Sequence, residues 1–152
     1  MSAAHHLKMA ITDSLEKFKA IPETAWSEKS RPEKWSKKEI LGHLVDSAMT
    51  NLRRFVYSQF RQNERIIYLQ DEWVAAQNYQ QADTRELITL WELLNLQIVR
   101  TLENIPPGKL SNTCDTGNPG PELHTLQFLA DDYVVHMKHH LSQILSGTMA
   151  GN

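Results

Sequence analysis

From Ile40 to Val56 apolar residues return every three or four positions, and Ile40, Leu41, Leu44, Val45, Ala48, Met49, Leu52, Phe55 and Val56 cover a broad arc of one helix. A helix with that much apolar surface has to be covered on more than one side, so it belongs at the centre of a bundle. Ser36-Lys37-Lys38-Glu39 in front of it has the form of a capping box, in which a serine hydroxyl and a glutamate carboxylate satisfy the first free amides of a helix. Three further segments share the period. Leu7, Ile11, Leu15, Phe18 and Ile21 repeat until Pro22. Leu87, Leu90, Trp91, Leu94, Ile98, Leu102 and Ile105 follow a second capping-box candidate, Asp83-Thr84-Arg85-Glu86, and stop at Pro106-Pro107. Leu126, Leu129, Tyr133, His136, His140 and Ile144 follow Thr125, a candidate N-cap, with no Gly or Pro before Gly147. No segment alternates with the period of a strand, so the expectation is an all-α four-helix bundle, with residues 1–152 forming a single domain.

The connections carry their own signals. Pro22 to Trp35 reads as a connector anchored by Trp26 and Trp35. Residues 57–82, with Asp71-Glu72-Trp73 and Asn78-Tyr79, read as a long excursion or a short helix lying over the bundle. Residues 106–124 are rich in Pro, Gly, Asn and Thr, the composition of a loop that serves as a lid or pocket wall.

In the last helix three of the chain's seven histidines fall within five residues, at His136, His139 and His140. His136 and His140 are one turn apart, so their imidazoles stack on one face and can converge on one ion. They lie in an apolar stripe, where an unsatisfied polar group costs about 1–3 kcal/mol, so they require hydrogen bonds, water or a metal. Met137 stands where a zinc peptidase motif would place its glutamate base, which disfavours peptidase chemistry. His139 points about 80° away and is a flanking residue rather than a third ligand. His43, with Ser47, Asn51 and Arg54, forms a polar stripe at the edge of the second helix's arc and, taken alone, reads as a surface histidine.

Composition bounds the function. With 41% hydrophobic and 22% charged residues the chain is an ordinary globular sequence. A formal charge of −2 and the lack of any long basic run argue against nucleic acid as a partner. The N-terminus lacks the pattern of a signal peptide and no run of some 18 apolar residues occurs, so a cytoplasmic protein without a membrane partner is expected. The single cysteine, Cys114, excludes an internal disulfide and a cysteine-built metal site.

Trp35-Ser36 through Glu39-Ile40-Leu41-Gly42-His43-Leu44-Val45-Asp46-Ser47, followed by Arg54-Phe55, resembles the second helix of the DinB/YfiT-like superfamily. Asp71-Glu72-Trp73 resembles that family's acidic-tryptophan segment, and Thr125-Leu126 through His136, His139, His140 and Ile144 resembles its fourth helix. The resemblance implies an up-down-down-up bundle, a homodimer, and a three-histidine divalent metal site formed by His43, His136 and His140. It further implies kinship with thiol S-transferases, mycothiol-dependent isomerases and the YfiT-type branch of metal-dependent hydrolases and bacillithiol transferases.

Three imidazoles leave a coordination position open, as in a catalytic site, and suit zinc, nickel, iron or copper, so ligand type alone does not select the metal; zinc or nickel is the expectation. Such an ion activates water for hydrolysis or holds an external thiol as thiolate. The expected activity is therefore transfer of a low-molecular-weight thiol to a small electrophilic substrate; hydrolysis and non-catalytic binding of a metal or small molecule are the alternatives. Asp46 and Asp132 are candidates to orient a ligand imidazole, Arg54 to bind a substrate carboxylate, and Tyr133 to line the pocket. The second helix's broad arc also points to a homodimer.

Overall fold

The computed structural model describes residues 1–146. Four long helices carry the fold: α1 (Ala3–Phe18), α3 (Lys37–Tyr57), α5 (Thr84–Asn104) and α6 (Leu126–Leu145). Two short helices, α2 (Glu23–Ser27) and α4 (Gln70–Gln77), lie in the connections. The sequence signals set most boundaries. Ser36 and Glu39 complete the reciprocal capping box of α3, Asp83 accepts from the Glu86 amide at the start of α5, and Thr125 accepts from the Phe128 amide at the start of α6. At α5 the return half of the box is not made, so Asp83 acts as a simple N-cap. Helix α1 stops at Phe18, leaving Ile21 in the turn that leads to Pro22. The helix stop expected at Gly147 lies outside the described residues.

Contacts at the helix ends fix the topology. Lys37 at the start of α3 donates to the Ile144 and Ser146 carbonyls at the end of α6, so these helices are antiparallel. Lys38 donates to the Ala82 carbonyl just ahead of α5, so α3 and α5 are parallel. Phe18 at the end of α1 packs edge-on against Trp91 near the start of α5, and Lys8 pairs with Glu103 near its end. Helix α1 is thus antiparallel to α5 and parallel to α6, giving an up-down-down-up bundle in which α3 and α1 each pack against both α5 and α6. No described helix is long and apolar enough to cross a membrane.

Parallel neighbours cannot be joined by a short turn. After α3, 21 residues and therefore about 30 Å long, the chain must travel the same length back before α5 begins. Residues 58–83 make that return along α3 and are fastened to it: Arg54 donates to the Ile66 carbonyl, Tyr68 meets His43, Gln77 and Tyr79 donate to Asp46, and Gln80 meets Ser36. Asn78, in the left-handed region at φ 53°, ends α4 and turns Tyr79 back toward α3. A β-carbon on Gly42 would stand 2.1 Å from the Tyr79 ring, so the glycine is what lets this ring lie against the helix. The crossover explains a departure from expectation. The stripe His43, Ser47, Asn51 and Arg54 is not solvated but buried, at 0, 3, 8 and 9% exposure, because residues 58–83 cover it.

A small sheet, which has no counterpart in the periodicity of the sequence, closes the end where α3 finishes. Strand β1 (Glu64–Arg65) runs parallel to β2 (Thr113–Asp115), and β2 pairs antiparallel with β3 (Leu123–Thr125) in the register Cys114 opposite His124. Strands of two and three residues are too short to show alternation. The Asp115 carboxylate accepts from the Gly117 and Glu122 amides and ties the hairpin loop; these two bonds hold its pKa below the usual carboxylate range. Residues 106–124 are therefore a structural clasp. They bond to the crossover and the end of α3, through Asn112 to Ser58, Thr113 to Asn63 and Arg65 to Gly117.

Candidate metal centre

His43, His136 and His140 come together toward the end of the bundle where α3 begins, each offering one ring nitrogen, with those nitrogens all within 4.8 Å of one another. The antiparallel packing of α3 on α6 produces the meeting, placing the seventh residue of one helix beside successive turns of the other. His43 is fully buried and His136 and His140 are half-buried. The three rings contact one another edge to face at centroid separations of 4.6–5.1 Å. His139 is exposed and outside the cluster. Among the described residues no fourth His, Cys, Asp or Glu joins it.

His43 lies against two aromatic residues. Trp35 is tilted on it, with ring centroids 5.1 Å apart and 34° between planes, and the Tyr68 ring is nearly parallel to it at 5.6 Å and 7°. Its Nδ1 is 2.7 Å from the Tyr68 hydroxyl, and its Nε2 faces His136 Nε2 at 3.2 Å. His140 Nδ1 is 2.8 Å from Gln143 Oε1. A carbonyl oxygen only accepts, so His140 carries its proton on Nδ1 and leaves a lone pair on Nε2.

Electrostatics favour neutral rings. Burial, followed by the neighbouring His140 and His136, lowers the His43 pKa to about 3. Burial, followed by His140, lowers His136 to about 4, with Asp132 acting weakly in the opposite direction. Burial also lowers His140, partly offset by its bond to Gln143. Neutral imidazoles are what a metal requires, since only an unprotonated ring nitrogen can ligate. The 3.2 Å between two Nε2 atoms is close to the ~3.3 Å that two imidazoles on one tetrahedral ion at ~2.0–2.1 Å would keep. The donor set and the His43–His136 separation fit a divalent ion.

The other candidate residues are placed elsewhere. Asp46 accepts from Tyr79 and Gln77 through Oδ1, its Oδ2 is buried without a partner, and it makes no hydrogen bond to His43. Burial raises its pKa against those two bonds. Asp132 is exposed and reaches His136 only through its charge. Arg54 is committed to the Ile66 carbonyl and to Asn51, not to a cleft. Tyr133 donates to Asn95 inside the bundle. Cys114 is fully buried at the sheet end, where burial raises its thiol pKa.

Two residues that sequence reasoning did not single out for the site complete it. Tyr68 meets His43 across 25 positions of chain, and Gln143 meets His140 one turn on. The second was visible as an i, i+3 pair; nothing local marked the first. Beside His140 opens a cleft of about 240 Å³ lined by Glu33, Lys34, Trp35, Ile40, Gln70, Asp71 and Gln143. Its walls come from α3, α6 and the two connections that flank α3, and residues 106–124 take no part.

Residues 6–144 match the DinB superfamily. No curated protein matches the chain in sequence. Among solved structures the fold is similar to YfiT from Bacillus subtilis, described as "a probable metal-dependent hydrolase with an unusual four-helix bundle topology". That match has a TM-score of 0.85 and 20% identity, and it covers 99% of this chain and 87% of that one. The fold is also similar to a mycothiol-dependent maleylpyruvate isomerase, with TM-scores of 0.76 and 0.71 and identities of 10 and 11% for two of its structures. Those matches cover 93 and 91% of this chain and 59% of the isomerase. At these identities the likeness is one of fold.

Proposed function

The chain belongs to the DinB superfamily, and from that premise we propose that it is a metal-dependent enzyme whose His43, His136 and His140 hold one divalent ion, zinc or nickel, and which transfers a low-molecular-weight thiol to a small electrophile. The observation that carries the reading is the convergence of three neutral imidazoles, with no fourth protein donor among the described residues, beside an open cleft. The ion, when bound, would lower the pKa of a thiol or water that reaches it.

The chain's own residues divide the remaining work. Trp35 and Tyr68 pack against His43, which is kept from water. Lys34 beside Glu33 and Asp71 gives the cleft both signs of charge, which suits a small thiol bearing an amine and carboxylates. The nucleophile has to come from outside, because Cys114 is fully buried and its thiol is pushed up by burial. Hydrolysis is the second reading, favoured by the description of YfiT. Assay of the zinc- and nickel-loaded protein with a panel of thiols and electrophiles, and separately with esters and amides, decides between them. Thiol-dependent turnover supports transfer, thiol-independent hydrolysis supports the second reading, and neither, with metal bound, leaves a binding protein.

A homodimer also belongs to this proposal, but on other residues than the broad arc of α3. That arc, apart from Val56 at its end, is covered within the chain by α5, α6 and the crossover, whereas Leu90 and Leu93 on α5 and Phe128 and Val135 on α6 are exposed. Light scattering at micromolar concentration checks it, and a monomeric mass throughout would remove it. A location in the cytoplasm is part of the same proposal.

A further inference from the structure

The Tyr68 hydroxyl has two neighbours on α3, His43 Nδ1 at 2.7 Å and the His43 carbonyl oxygen at 3.2 Å. A phenol has one hydrogen, and a carbonyl can only accept. Given to the carbonyl, that hydrogen leaves the phenol oxygen to accept from Nδ1–H, so His43 Nε2 is bare and its lone pair faces His136. Given instead to Nδ1, it leaves two oxygens facing each other with no hydrogen between them, and it places the imidazole proton on Nε2, among the converging nitrogens. The first arrangement satisfies the phenol, the carbonyl and Nδ1 together, and leaves Nε2 as the ring's free acceptor beside His136.

We propose that Tyr68 is the positioning residue of the metal centre: its hydroxyl, bridging His43 Nδ1 and the His43 carbonyl, holds this imidazole in the Nδ1–H form with Nε2 directed at His136 and His140. The proposal rests on the metal-site reading and adds a dependence that reading lacks. Gln143 serves His140 from the same helix and forms whenever α6 forms. Tyr68 belongs to another element. It sits two residues past Ile66, whose carbonyl is gripped by Arg54, and two residues before α4 begins, in the stretch where the crossover lies against α3. His43 is thereby set for metal only when residues 58–83 are docked, so metal affinity reports on the docking of that segment. Its stacked ring, 7° from the His43 plane, leaves the imidazole little freedom to rotate.

The experiment pairs two readouts on wild type, Tyr68→Phe and Tyr79→Phe. Phenylalanine at 68 keeps the stacked ring and removes only the bridge. Long-range ¹⁵N–¹H spectra of the metal-free proteins report the His43 tautomer, and calorimetric titration with Zn²⁺ reports affinity. The expected result is an Nδ1–H tautomer for His43 in wild type, lost in Tyr68→Phe together with about 10–100-fold in zinc affinity, the usual effect of removing an outer partner of a ligating histidine. Tyr79→Phe, which alters the same crossover but touches Asp46 rather than a histidine, keeps both tautomer and affinity. An Nε2–H tautomer in wild type, or wild-type zinc affinity in Tyr68→Phe, overturns the proposal. So does an equal loss in Tyr79→Phe, which would reduce Tyr68 to one of several residues that merely hold the crossover. A wild-type protein that binds no zinc contradicts the metal reading instead, and the spectrum of the metal-free protein then decides the role of Tyr68 alone.

Discussion

Where α3 ends, Arg54 is buried, yet its guanidinium donates to the Ile66 carbonyl and to Asn51, and nearby Asp115 accepts two loop amides. Toward the end where α3 begins, three imidazoles are turned inward on one another and two Nε2 atoms meet at 3.2 Å. Both regions bury polar side chains at a junction of connections. At the sheet end each of these groups spends its hydrogen bonds on backbone or on a neighbouring amide, so the polar groups stabilise the fold. At the histidine end the nitrogens converge with lone pairs that the chain does not fill. The contrast separates residues kept for architecture from residues arranged for an ion, although residue type alone would rank Arg54, Asp115 and Cys114 as candidates for chemistry.

Substitution should divide the two regions cleanly. Replacing His136 or His140 with alanine should lower zinc affinity by more than ~1000-fold, about 4 kcal/mol, with little change in the melting temperature of the metal-free protein. His139→Ala should leave affinity unchanged, and calorimetric titration distinguishes the cases. Arg54→Ala should act chiefly on stability, lowering it by about 2–4 kcal/mol in urea unfolding because the Ile66 carbonyl loses its buried donors, and should weaken zinc binding only as far as it loosens the segment that carries Tyr68. Zinc stoichiometry of the folded variant should be retained. A stability loss at His140 as large as that at Arg54 would erase the distinction.

Gly42→Ala is a smaller and mixed case. The new methyl meets the Tyr79 ring, costing about 1–3 kcal/mol and moving the hydroxyl that serves Asp46. The smallest expected effect is on pH dependence. His43 and His136 have folded pKa values lowered to about 3 and about 4, so the unfolded chain, with histidines near ~6.5, binds more protons as pH falls. Stability of the metal-free protein from these groups is therefore full above ~6.5 and declines below it, by about 1 kcal/mol between pH 7 and pH 6. Urea midpoints at the two pH values check this, and a midpoint that does not move would mean the rings are not held neutral.

Much of the frame was legible because helix signals are local. Ser36 with Glu39, Asp83, Thr125 and Pro106 mark starts and stops within four residues of the elements they bound. The His136–His140 pair was legible for the same reason, since one helical turn sets its spacing. His43 was not, read from periodicity alone. Its stripe lies at the edge of the apolar arc and is buried only because a parallel α3–α5 pair forces residues 58–83 back along it. Tyr68 depends on that same return path, and no spacing rule connects residues 25 apart. Residues 106–124, expected as a lid or pocket wall, clasp the end where α3 finishes and do not line the cleft beside His140, because Pro and Gly announce a turn without saying which end of the bundle it closes.

The account stands most directly on the coordination of a bound ion. Loading the metal-free protein with Co²⁺ in place of zinc, then recording its d–d absorption and X-ray absorption fine structure, counts ions and donors together. The prediction is one ion per chain with three imidazole nitrogens and a remaining position that exchanges with added thiol, and loss of the signal in His43→Ala. Binding that persists unchanged in His43→Ala, or a site completed by a fourth protein donor and closed to thiol, would contradict it.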